Sequence, residues 1–106
     1  MKIIERDLVL KENTVIEDDL FVYGNIICED GNWDLTCNNL TCYNIKCYNL
    51  TCYNIKCFDL NCENLYCNNL NYFAFAIAYE SFKCKSHKGR RKNGFVKCLD
   101  GEVEIK

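Results

Sequence analysis

From Cys37 onward the sequence repeats every five residues without a break: CNNLT, CYNIK, CYNLT, CYNIK, CFDLN, CENLY, CNNLN. Cys stands at 37, 42, 47, 52, 57, 62 and 67, Asn or Asp at 39, 44, 49, 54, 59, 64 and 69, and Leu or Ile directly after each of these. An α-helix cannot use such a period. Five steps of about 100° advance each Leu by roughly 140° and smear Leu and Cys over every face. A plain strand fails too, because its period is two and an odd repeat sends alternate Leu to opposite sides. What treats every unit alike is a short extended piece followed by a bend, wound so that each Leu and each Cys points to one axis.

The inward pair is then Leu-x-Cys. It predicts core columns of Leu40, Cys42, Ile45, Cys47, Leu50, Cys52, Ile55, Cys57, Leu60, Cys62, Leu65, Cys67 and Leu70. The Asn and Asp column falls at the bends, where short polar side chains satisfy turn backbone. Residues 1–34 alternate short apolar clusters with turn formers and read as irregular opening coils, with a turn at Gly31 and Asn32. Regular repeats fill 35–71 and an irregular closing coil 72–89, where Tyr72 and Ile77 take Cys slots and Phe75 a Leu slot. Near Gly89 the coil is expected to end. Residues 90–106 form a basic turn and a β-hairpin or cap about Asp100-Gly101, a strong turn signal between two alternating runs.

Over roughly residues 24 to 90 the pattern resembles the pentapeptide repeat family. The usual family unit is a small residue, Asp or Asn, Leu or Phe, then two variable residues. Here Asn-Leu and Asp-Leu are kept, and the small residue stands two positions after the Leu. The resemblance implies an all-β, right-handed quadrilateral β-helix with four units, hence twenty residues, per turn. On such a turn Cys37 lies beside Cys57, and Tyr43, Tyr48, Tyr53 and Phe58 occupy four walls, stacking on Glu63, Asn68, Phe73 and Ala78. The tail, with Ala78-Tyr79, Cys84-Lys85-Ser86, Gly89-Arg90-Arg91 and Leu99-Asp100-Gly101, also resembles small proteins encoded by phages of low-GC Gram-positive bacteria. That implies a phage origin and a place in the host cytoplasm. Some pentapeptide repeat relatives resemble duplex DNA and occupy DNA-handling enzymes, which implies a protein partner of that class.

Ten Cys in 106 residues would suit a secreted disulfide scaffold. No basic and apolar leader opens the sequence, so a cytoplasmic protein with Cys as a small buried hydrophobe is expected. No apolar run has the length of a membrane span, and no membrane partner is expected. The net charge of −2 is small, but it is unevenly spread. Residues 1–35 hold three basic against nine acidic side chains, and 80–106 eight against four.

Few residues carry chemistry. Cys-x4-Cys in a coil spreads its sulfurs over the walls, whereas zinc sites need converging pairs. Cys84, His87 and Cys98 are the one other ligand-like set; Lys83, Lys85 and Lys88 would repel a cation there. No carboxylate pair, phosphate loop or triad is present, so neither an enzyme nor a cofactor is expected. The candidate functional surface is Lys83, Lys85, Lys88, Arg90, Arg91 and Lys92, six cations in ten residues, suited to an acidic protein face or to nucleic acid phosphates. The reading is therefore a non-enzymatic interaction protein displaying a rigid solenoid surface. Its alternatives are a nucleic-acid binder acting through the basic tail and a self-assembling homo-oligomer that covers its own coil ends.

Overall fold

The computed structural model describes residues 1–28 and 33–106; the expected turn at Gly31 and Asn32 lies outside them. Among the described residues there is no helix, hence none long and apolar enough to cross a membrane. The chain winds through six coils. The first holds β1 (Lys2–Ile4), β2 (Leu8–Leu10) and β3 (Thr14–Val15), and the second β4 (Leu20–Val22), β5 (Ile26–Cys28) and β6 (Leu35–Thr36). The third holds β7 (Asn39–Thr41) and β8 (Ile45–Thr51), and the fourth β9 (Asn54–Lys56) and β10 (Leu60–Tyr66). The fifth holds β11 (Asn69–Tyr72) and β12 (Phe75–Cys84), and the sixth β13 (Ser86–Gly89), β14 (Phe95–Cys98) and β15 (Val103–Ile105).

Among the described residues every pairing is parallel, and the strands stack into three faces. The first face runs β1, β4, β7, β9, β11, β13. The second runs β2, β5, β8, β10, β12, β14, and the third β3, β6, β8, β10, β12, β15, because the three long strands pass through a corner and serve both. This is an all-β solenoid, as the repeat predicts, but it is three-sided. Leu40 pairs with Ile55, Ile45 with Leu60 and Leu50 with Leu65, so a regular coil takes 15 residues and three repeat units. The quadrilateral turn of twenty residues is thereby corrected. Three Leu or Ile and three Cys per coil meet at the axis and fill it from the repeat alone, with Leu35, Leu50 and Leu60 wholly buried.

The stacking partners change accordingly. Cys37 lies beside Cys52, with sulfurs 3.3 Å apart, and not beside Cys57. In the fifth coil Leu60 pairs with Ala76 and Cys62 with Ala78, so the Leu and Cys slots belong to Ala76 and Ala78, not to Phe75 and Ile77. One added residue before β12 shifts the phase. Tyr72 does turn inward, and its ring fills the place of a Cys in the next coil. A Cβ on Gly89 would come within 2.9 Å of that ring.

The coil does not end near Gly89, and no hairpin follows it. β14 pairs with the first half of β12 and β15 with its second half, both in parallel. Asp100-Gly101 is a corner between two strands of the sixth coil. A local turn signal is the same for a hairpin and for a corner; the free edge of β12 decides between them.

Candidate functional site

The three corners are built from the residues that follow each Leu-x-Cys strand, and a 15-residue coil brings like corner residues into register. Two corners carry amide ladders. At the corner leading from the third face back to the first, Asn54 Nδ2 donates to Asn39 Oδ1 at 2.8 Å, Asn69 Nδ2 to Asn54 Oδ1 at 2.8 Å, and Ser86 Oγ to Asn69 Oδ1 at 2.6 Å. Asp19 begins this ladder by accepting from Asn39. Between the second and third faces Asn64 donates to Asn49 at 2.7 Å and Ser81 to Asn64 at 2.7 Å. At the remaining corner the oxygens of Asp7, Asn25 and Asn44 accept from backbone N–H groups one coil further on. The Asn column thus binds coil to coil as well as bend to bend.

That remaining corner, between the first and second faces, also carries aromatic rings. Tyr43 stacks on Phe58 with centroids 5.3 Å apart and an interplanar angle of 12°, and Phe58 meets Phe73 at 5.6 Å. Beside them Phe75 stacks on Phe95 at 6.1 Å. The three ridge rings are between 42 and 48 % exposed. The expectation that these aromatics lie on separate walls is corrected: Tyr43 and Phe58 share one corner with Phe73. Tyr48 lies on the corner of Trp33, and Tyr53 on that of Asn38 and Asn68.

Cations flank this ridge. On the first face Lys56 pairs with Asn71 and Asn71 with Lys88, so both lysines project outward from one column, two coils apart. On the second face Lys46 and Lys97 hold the corresponding outward positions. All four are exposed, as are Arg91 and Lys92, which continue the ridge corner in the sixth coil. Carboxylates of the last four coils gather elsewhere. Glu63, Glu80, Asp100 and Glu102 line the corner between the second and third faces, and Glu104 the third face itself. Asp59 alone shares the ridge corner, half-buried, its backbone N–H bonded to Asn44.

The six cations read from the sequence do not form one patch. Lys83 projects from the third face 3.8 Å from Glu104, Lys85 sits at the next corner, and Lys88 lies on the first face. Arg90 is committed to the fold. Its guanidinium donates to the Cys57 carbonyl at 2.6 Å, to the Asn71 carbonyl at 3.1 Å and to Asn71 Oδ1, and lies 5.8 Å from the Phe58 ring centre. Of the six, Lys88 flanks the ridge and Arg91 and Lys92 continue it. What sequence reading missed is Lys46, Lys56 and Lys97; aromatics recurring at 43, 58 and 73 were the available signal.

Cys84, His87 and Cys98 lie on different faces, and no group of three metal-ligating side chains comes together among the described residues. All ten thiols are free and buried. Burial pushes Cys57 and Cys67 up to about 12 and raises Cys42, Cys47 and Cys62 as well. Cys37 is lowered by the thiol contact it shares with Cys52, whose own thiol is raised. Thiols raised this far stay protonated at neutral pH and act as packing. Compared with protein-family models, with curated proteins and with solved structures, the chain matches none.

Proposed function

We propose that the protein is a non-enzymatic interaction module whose working surface is the aromatic corner of Tyr43, Phe58 and Phe73 with its flanking cations, and whose partner is an acidic protein face. A phage origin, a cytoplasmic location and kinship with the pentapeptide repeat family belong to the same proposal. A host complex that handles DNA is the partner class it favours. The 15-residue coil departs from the twenty that kinship implies. One observation carries the proposal: the coil length aligns three exposed rings into a ridge, with Lys46, Lys56, Lys88, Lys97, Arg91 and Lys92 on either side and beyond its end. Aromatic rings held on a rigid frame lose little conformational freedom on binding.

Affinity capture with the full chain, from extracts of the cells that carry it, tests this beside a Tyr43→Ser/Phe73→Ser variant. A protein retained by the parent, lost by the variant and released by salt is the expected result; equal retention by both overturns it. Nucleic acid is a second reading, favoured by rings and cations meeting at one corner. Binding of a labelled single-stranded oligonucleotide that falls steeply with salt, and is lost in Arg91→Glu/Lys92→Glu, would transfer the surface to that partner.

A further inference from the structure

Each end of the solenoid presents three strands with an unpaired edge. Among the described residues β1, β2 and β3 pair only with β4, β5 and β6, and β13, β14 and β15 only with β11 and β12. The interior is incompletely closed at both ends. Ile4, Leu8 and Ile16 at one end, and Val96 and Val103 at the other, are only partly buried, and Ile105 is 52 % exposed. Lys2, Thr14 and His87 are the polar members of these two inward rings.

The two ends match. All strands run parallel, so the edge offered by β13, β14 and β15 is the one that β1, β2 and β3 lack, and the match holds at all three faces at once. Residues 1–19 carry six acidic against three basic side chains, and residues 86–106 carry six basic against three acidic. At two of the three corners the charges also oppose each other. Arg91 and Lys92 occupy the corner at which the first coil holds Glu5 and Asp7 about Arg6, and Lys85 the corner at which it holds Glu17, Asp18 and Asp19. The third corner is neutral on one side: Asp100 and Glu102 stand where the first coil holds Lys11 and Glu12 together.

We propose that copies of this 106-residue chain stack end to end, β13, β14 and β15 of one copy pairing with β1, β2 and β3 of the next. The contact joins two different surfaces, so it is heterologous and grows as an open rod; a closed dimer would need one surface to match itself. Stacking covers edges that would otherwise invite indiscriminate pairing. It also sets the aromatic corners of successive copies in line, which multiplies contacts to an extended partner without depending on any partner being found.

Sedimentation of the full chain over a concentration series tests the proposal. The mean mass is expected to climb steadily above 12.4 kDa without a plateau at two copies, and to fall back as salt is raised. Glu5→Lys/Glu17→Lys and Lys85→Glu/Arg91→Glu alter exposed side chains at opposite ends. Each variant alone is expected to remain at the single-chain mass with an unchanged circular dichroism spectrum. Mixed in equal amounts they are expected to regain the rise, since each reversed end then meets its complement. A parent that stays monomeric throughout, a parent that stops at a dimer, or folded variants that fail to restore one another would each overturn it.

Discussion

The middle coils and the end coils are built from the same Leu-x-Cys idea, yet they are held differently. In the third and fourth coils every inward residue has a neighbour one coil above and one below, and the amide ladder runs unbroken through Asn39, Asn54 and Asn69. In the first and last coils each inward residue has one such neighbour, and extra residues bulge at the corners, as in Arg90–Gly94 with Asn93 at a φ of 67°. Exact repetition therefore concentrates stability in the centre. Irregularity leaves the ends free to carry charge and to meet something else.

Alkaline titration should break this contrast most severely. The Cys42, Cys47, Cys57, Cys62 and Cys67 thiols hold their protons in the fold beyond the ordinary value of 9.0. Unfolded, they release them at that value. Their raised position means that the stability they carry is complete below about pH 9 and is lost as the pH climbs toward 12. Circular dichroism should show unfolding inside that window, with a flatter pH dependence in Cys57→Ala/Cys67→Ala. An unchanged slope in that variant would separate the thiols from the effect. Next in size is Leu50→Ala, which opens a cavity where the side chain is wholly buried and should cost about 3 kcal/mol in urea unfolding. Val103→Ala in the last coil should cost about 1 kcal/mol, and equal losses would erase the distinction between centre and end. Comparable in size is Asn54→Ala, which removes two rungs of one ladder for about 1 kcal/mol. Its counterpart Ser86→Ala ends the same ladder and should cost less than half of that on the same urea scale.

The columns at 40–70 were legible because a strict period of five leaves one arrangement in which every Leu and Cys is buried. The number of sides was not. A perfect repeat is in register with itself after three units or after four, and only residues that vary between units can tell the two apart. Phe75 and Ile77 misled for a related reason: alternation along β12 marks an extended strand, but one extra residue upstream chooses which set faces in, and the small Ala76 and Ala78 fit a narrow axis. Arg90 gave no local sign that it turns back onto Cys57 and Asn71. Its carbonyl partners lie in earlier coils, and contacts across 19 and 33 residues are invisible to a reading of ten neighbours. The flanking lysines escaped notice because each stands alone in sequence and acquires company only through stacking.

The in-register pairing of Ile45 with Leu60 has a genetic consequence. Excising residues 45–59 would join Asn44 to Leu60, reproducing the Asn-Leu junction found throughout the repeat, while duplicating the same segment would insert one more identical storey. Either event keeps both termini of the solenoid on their original azimuths. A gene of this design can lengthen or shorten its product by unequal recombination in steps of one coil, so the reach of the molecule can evolve separately from the surfaces at its two ends.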